Sequence, residues 1–283
     1  MKKVLITGYN GYIGSHLTEL LQDDYELYGI DFAGPPKDGL GIHSSQDDIR
    51  DEWFEMNGRF DTIVHLAAMV RVNESVRKPS LYYDVNINGL KNILDHCDYG
   101  NFIFASTGAA EKPISPYAIS KLAGEHLVRE KCDYLRVSHT IFRFYNVIGS
   151  AGFPPTNPDG LFYNLIKAKE TGVFNLYGND YNTPDGTPIR DYVHVMEICN
   201  AIKLAIEKPS CILGAEVTPL VENLGHGKGH SVLEMANTFQ KVNNCSFKIN
   251  YCQKRPGDLE YSVLADVSPY MQELYSFEEL MKL

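Results

Sequence analysis

Three observations predict an α/β fold with a doubly wound parallel sheet and a smaller, discontinuous C-terminal domain. Short β-branched apolar runs alternate with longer amphipathic segments through the first half, and a glycine-rich turn joins the first run to the first such segment. After Gly149 the pattern changes to short strands separated by turns. Runs at 4–7, 25–30, 62–65, 102–105 and 137–142 read as strands. Segments 15–21, 80–97 and 116–130 carry apolar residues at three- and four-residue spacings and read as helices, the last opened by Ser115 as cap and Pro116 in first position. A proline- and glycine-rich loop follows at 152–160, and 193–208 reads as a regular helix expected to pack back on the first domain. The expected domains are 1–149 with about 187–210, and 150–186 with about 211–283.

With 283 residues and 44% apolar content the chain can bury a full core. Its net charge of −10, with no stripe of Lys and Arg, argues against nucleic acid or an anionic membrane as partner. Any anionic substrate must meet local arginines. Six scattered cysteines without a Cys-x-x-Cys pair favour free thiols over disulfides or zinc, so no metal is expected. Met1-Lys2-Lys3 leads directly into a strand with no apolar leader, which predicts a soluble, cytoplasmic protein.

Thr7-Gly8-Tyr9-Asn10-Gly11-Tyr12-Ile13-Gly14 follows a predicted strand and opens a predicted helix, the context that a dinucleotide loop requires. Gly8 permits the tight turn, Gly11 lets backbone N–H groups approach a pyrophosphate, and Gly14 lets helix and strand pack closely. Asp31 ends the next strand, placed to accept from a ribose hydroxyl, which favours NAD over NADP. The fold is thus expected to be Rossmann-like, with NAD as cofactor.

Tyr117 and Lys121 stand four residues apart on a predicted helix, so the ammonium can support a phenolate one turn away. Free tyrosine titrates near ~10, and use as a base near neutrality needs a shift worth about 4 kcal/mol. The spacing alone proves little: with 18 tyrosines, chance provides about one, and Tyr163 with Lys167 is a second. Thr107, the glycine loop and Asp31 single out the first pair.

These motifs resemble the extended short-chain dehydrogenase/reductases over nearly the whole chain and, within them, the UDP-glucose 4-epimerases. The Gly-x-x-Gly-x-x-Gly loop, His65-Leu66-Ala67-Ala68 and Tyr117 with Lys121 carry the broader likeness. Gly178-Asn179-Asp180-Tyr181, Arg190-Asp191-Tyr192-Val193-His194 and Arg255-Pro256-Gly257-Asp258 carry the narrower one. The resemblance implies that Tyr12 and Ile13 join the glycines at the cofactor, with Asp48 and Ile49 beside adenine and Leu66, Ala67, Ala68 and Asn86 along its length. It puts Lys121 between the nicotinamide ribose and Tyr117, and, from Arg143-Phe144-Tyr145-Asn146, Tyr145 near the nicotinamide and Asn146 on the substrate. Asn175, Leu176 and Tyr177 are expected to line the nucleotide base, and Arg190, Arg255 and Asp258 to hold the diphosphate and uridine ribose of a UDP-sugar. Guanidiniums suit that task because they match phosphate oxygens bidentately.

The implied reaction is epimerisation at C4 of a UDP-hexose through a 4-keto sugar, with Thr107, Tyr117 and Lys121 as catalytic residues. Related 4,6-dehydratases resemble Thr-Asp-Glu at this point, whereas Thr107 is followed by Gly108 and Ala109. Glu111 is the one nearby carboxylate that blurs the distinction, so another NAD-dependent nucleotide-sugar enzyme, or a non-catalytic NAD-binding protein, stays as an alternative. The run from Thr107 to Tyr117 is shorter than in similar proteins, and Val70 stands where they often place lysine. Ser262 or Val263, both small, falls where the family limits room at the sugar 2-position, so N-acetylated sugars are expected to fit. His65 reads as structural, and His226 with His230 as a turn and helix start. Leu81, Val85, Leu90, Ile93 and Leu94 form a core stripe on a helix that, with the helix of Tyr117, the resemblance implies as a homodimer face.

Overall fold

The computed structural model describes residues 1–51, 58–209, 221–255 and 258–283. Cys211, Pro256 and Gly257 therefore lie outside the described residues. The elements run β1 (Lys3–Thr7), α1 (Tyr12–Leu21), β2 (Glu26–Ile30), β3 (His43–Ser45), β4 (Arg59–Phe60), β5 (Thr62–His65), α2 (Val72–Arg77), α3 (Pro79–Tyr83) and α4 (Gly89–His96). They continue with β6 (Asp98–Tyr99), β7 (Asn101–Thr107), α5 (Pro116–Leu135), β8 (Ser138–Phe144), β9 (Asn146–Ile148), α6 (Leu161–Thr171) and β10 (Val173–Tyr177). The rest is β11 (Ile189–His194), α7 (Val195–Glu207), β12 (Val221–Leu224), β13 (Gly229–Ser231), α8 (Val232–Val242), β14 (Lys248–Cys252) and β15 (Tyr261–Ser262).

Contacts divide the chain into two compact units, Met1–Phe144 with Cys199–Glu222, and Tyr145–Ile198 with Asn223–Leu283. A seven-stranded sheet ordered β12-β8-β7-β5-β1-β2-β3 dominates the first, and its registered neighbours from β8 to β3 pair in parallel. This is the Rossmann-like arrangement, reversing direction at β1. Strands buried on both faces need continuous apolar runs, and Val4, Leu5 and Ile6 of β1 and Ile63 and Val64 of β5 are fully enclosed. Phe102, Phe104, Leu90, Ile93, Val128 and Ile141 pack into the same core. In the second unit β10 pairs with β14, β11 is flanked by β9, β13 and β15, and Phe162, Phe174, Phe239 and Phe247 centre a separate core.

Two helices differ from their sequence reading. Segment 80–97 is not one regular helix: α3 passes into a π-helical turn, Asp84–Asn88, before α4 resumes the α-helical register. The turn puts Asn86 inward at 2% exposure. The helix expected from 193 begins at Val195, because Val193 and His194 complete β11 beside Val147 and Ile148 of β9.

Candidate functional site

The glycine turn between β1 and α1 has a shape that only glycine permits. Gly8 has φ +74°, and a Cβ there would lie 2.7 Å from the Ala67 backbone N, while one on Gly14 would lie 2.2 Å from the Gly8 carbonyl. Gly11 caps α1 without any side-chain hydrogen bond, and the positive end of the helix at this turn suits an anion. Asp31 follows β2, and its two oxygens accept from the N–H groups of Asn10, at 2.9 Å, and Ala33, at 2.8 Å. A pyrophosphate and a ribose diol fit this cradle in size and donor set.

Around the cradle, Ala67 N–H donates to Thr7 Oγ1, which also meets His65 Nδ1 at 2.9 Å. His65 is buried, and desolvation with Lys121 nearby pulls its pKa down to about 3, so it is a neutral structural bridge. Asn86 accepts from Met69 N–H and donates to Met69 O and Ser120 Oγ, fixing the loop of Leu66 and Ala68 against α5. Asp48 is held by Arg50, which also reaches Asp84 at 2.9 Å, and Ile49 packs where a side chain on Gly89 would stand. Arg50 escaped the sequence reading, although two nearby aspartates are a signal for it. Tyr12 packs edge-on against His16, and the Ile13 carbonyl accepts from Cys199 Sγ.

The second part of this unit lies where β7 runs out. Thr107 caps the 3-10 turn Gly108–Glu111 by accepting from Ala109 N–H, and Ser115 caps α5 by accepting from Ala118 N–H at 3.2 Å. Those two caps set Thr107 and Tyr117 together. Burial lifts the Tyr117 pKa to about 12, and a hydrogen bond with Thr107 works against it. Lys121, 3% exposed, donates to the Ala105 carbonyl at 2.8 Å and lies 4.8 Å from the Phe104 ring centre. Desolvation draws its pKa down to about 7, opposed by Glu125. Thr107 draws the Tyr117 pKa down, and Lys121 is engaged by the Ala105 carbonyl.

The second unit contains a cavity of about 190 Å³ lined by Asn146, Asn175, Leu176, Tyr177, Arg190, Arg255 and Asp258, all expected from sequence. Arg255 stacks on Tyr177 at 3.9 Å from the ring centre, and Arg190 donates to the carbonyls of Ile189 and Glu260. Burial raises the Asp258 pKa, opposed by both arginines. Asn146 donates to Asp191 O, and Tyr145 N–H to Leu224 O. The wall also includes Asp159, Asn164, Phe174, Tyr192 and Val232, which sequence reasoning missed. Only the Asp159-Gly160 helix entry offered a signal for the first two.

Tyr163 and Lys167 lie on α6, where Lys167 pairs with Glu170. His226 donates its N–H to Asp191, and its Nε2 meets Glu197 at 2.8 Å; His230 lies in β13 against Phe277.

A glycine cradle, an acid ending β2 and a Tyr-x-x-x-Lys helix define a dinucleotide-dependent enzyme of the short-chain dehydrogenase/reductase type. The sequence pattern of the NAD dependent epimerase/dehydratase family matches residues 4–217. The chain belongs to that family, and its cofactor is NAD. It is 32% identical over 309 residues to UDP-glucose 4-epimerase 2 of Arabidopsis thaliana, covering 92% of this chain and 86% of that one. The UDP-glucose 4-epimerase of Bifidobacterium longum, solved with NAD+ and UDP, superposes with a TM-score of 0.82 at 26% identity, covering 99% and 96% of the two chains. The UDP-Glc/GlcNAc 4-epimerase of Campylobacter jejuni superposes at 0.76 with 27% identity, covering 99% and 97%.

Proposed function

We propose that the protein interconverts C4 epimers of a UDP-hexose through a 4-keto sugar. The reading rests chiefly on the cavity in the second unit, where two guanidiniums, an aromatic ring and a carboxylate converge as a nucleoside diphosphate requires. Arg190 and Arg255 neutralise the diphosphate, Asp258 accepts from the uridine ribose, and Asn175, Leu176 and Tyr177 enclose the base. In the first unit, Gly8, Gly11, Tyr12, Ile13, Gly14, Asp31, Asp48, Ile49, Leu66, Ala67, Ala68 and Asn86 hold the dinucleotide. Tyr145 serves its nicotinamide end.

Bound NAD supplies a reversible hydride acceptor for the sugar C4. Tyr117 removes the C4 hydroxyl proton and later returns it to the oxygen of the inverted centre, Thr107 orients that oxygen, and Lys121 orients the nicotinamide ribose. The sugar turns over between the two transfers while Asn146 and the arginines retain the nucleotide. Elimination is disfavoured by the residues after Thr107: Gly108 and Ala109 carry no acid, and Glu111 is directed toward Arg143 at 3.9 Å.

Ser262 pairs in register with Arg190, Val263 packs against Gly229, and both side chains are small. N-acetylated sugars are therefore substrates as well, a breadth that the name of the Campylobacter jejuni UDP-Glc/GlcNAc 4-epimerase carries for that protein. Ile119 on α5 and Val76 on α2 are exposed, which favours assembly as a homodimer. Incubation with UDP-galactose, UDP-glucose and their N-acetyl forms, with products identified, tests the reading. A 4-keto-6-deoxy product overturns epimerisation, absence of any product overturns catalysis, and failure on the N-acetyl forms alone overturns the breadth.

A further inference from the structure

One ionisable side chain beside the candidate site has no part in the reaction above, yet it is among the most enclosed in the molecule. Glu125 is 2% exposed and lies four residues beyond Lys121, so Tyr117, Lys121 and Glu125 follow one another along a single face of α5. Its carboxylate accepts from Ser106 Oγ at 2.5 Å, from Arg143 Nε at 2.8 Å and from Arg143 Nη2 at 2.7 Å. Ser106 and Arg143 are direct partners in the β7–β8 register. One carboxylate therefore pins the helix of the proton-transfer pair to the two strands whose ends form the site.

We propose that Glu125 is a positioning residue: it locks α5 to the ends of β7 and β8, and it is the buried anion against which Lys121 holds its proton. The proposal rests on the reading of Tyr117 and Lys121 as the proton-transfer pair. Two cations, Lys121 and Arg143, sit in this poorly hydrated region, and each would be costly there without an anion. Glu125 bonds one directly and acts on the other through the field across one helical turn.

The other charged groups around α5 do not take this part. His65 of β5 is held neutral, and Glu111 of the 3-10 turn faces Arg143. Glu74 of α2 meets Tyr82 of α3, Asp84 of the π-helical turn meets Arg50, and Asp95 of α4 meets Lys91 and, at the far end of α5, Lys131. Of the described residues, Glu125 is the one whose charge favours the protonated Lys121.

The experiment follows the Lys121 side chain itself in the purified enzyme, by the pH titration of its ¹³Cε resonance, assigned by its loss in Lys121→Met. In Glu125→Gln the midpoint falls by about one pH unit, and the alkaline limb of kcat moves down with it while UDP affinity is retained. Ser106→Ala removes one hydrogen bond but no charge and leaves the midpoint where it was. Should Glu125→Gln not fold, Arg143→Gln removes the competing cation and leaves the Glu125 charge in place, and the midpoint rises instead. An unmoved Lys121 midpoint in the folded variant overturns the proposal, as does a uniform loss of kcat with an unchanged pH profile. Retained activity in Tyr117→Phe removes the reading of the pair instead, whatever Lys121 does.

Discussion

At Tyr117 two opposing effects set the proton affinity. Burial favours the neutral phenol and lifts the pKa to about 12, while the Thr107 hydroxyl favours the phenolate. Loss of the phenol in Tyr117→Phe removes the base, so kcat is expected to fall about 10²–10⁴-fold with UDP affinity unchanged, as steady-state rates and calorimetry would read. Thr107→Ala leaves the base but withdraws its partner, and a loss of about tenfold follows if that hydrogen bond is worth about 1.4 kcal/mol. In the nucleotide cavity, Arg255 contributes a charge and a stacked face over Tyr177. Arg255→Ala should weaken UDP binding about 10–100-fold, and Arg255→Lys should recover only part of it, because an ammonium cannot stack or grip bidentately. UDP binding unaffected by either change would remove this cavity from the account.

Among the elements, α1 and α5 were the most legible, because their starts are written in local chemistry. Glycines at positions 8, 11 and 14 specify a turn and a close approach, and Ser115 with Pro116 specifies a cap. Ser115→Ala should cost about 1 kcal/mol, visible as a fall of roughly 2–4 °C in Tm. Gly14→Ala should be far more severe, since the added carbon meets the Gly8 carbonyl and Tyr9 backbone rather than a movable side chain. The π-helical turn within 79–96 was hidden for the opposite reason. Leu90, Ile93 and Leu94 keep an apolar stripe, and one residue of extra backbone leaves no mark on side-chain spacing. Likewise Glu125 meets Arg143 only because α5 packs against β7 and β8, and Phe174 and Tyr192 reach the cavity from separate elements, so no local spacing revealed them.

At the scale of the whole molecule, one source of pH sensitivity is an ion pair in the second unit. Glu197 accepts from His194 N–H, Leu274 N–H and His226 Nε2, and these bonds depress its pKa despite burial. The same carboxylate raises the pKa of His226. The histidine contribution is complete below its ordinary value of 6.5 and fades as pH rises through the elevated folded value. The glutamate contribution is complete above 4.5 and fades as pH falls through its depressed folded value. Denaturation of His226→Ala and the parent should therefore differ most near pH ~5.5, by about 3 kcal/mol, and less at pH ~9. A constant difference across that range would count against the ion pair. Among the described residues, no helix is long and apolar enough to cross a membrane.

The sheet order β12-β8-β7-β5-β1-β2-β3 also has a temporal meaning. Strand β12 is synthesised long after its neighbour β8, with the whole of 145–198 made in between. A nascent chain that has emerged as far as Ile198 therefore carries β8 as an unpaired edge, with the buried Ile141 and Phe142 on it. Premature termination before 221 should yield a chain that aggregates through that edge, rather than a shorter but stable dinucleotide-binding domain.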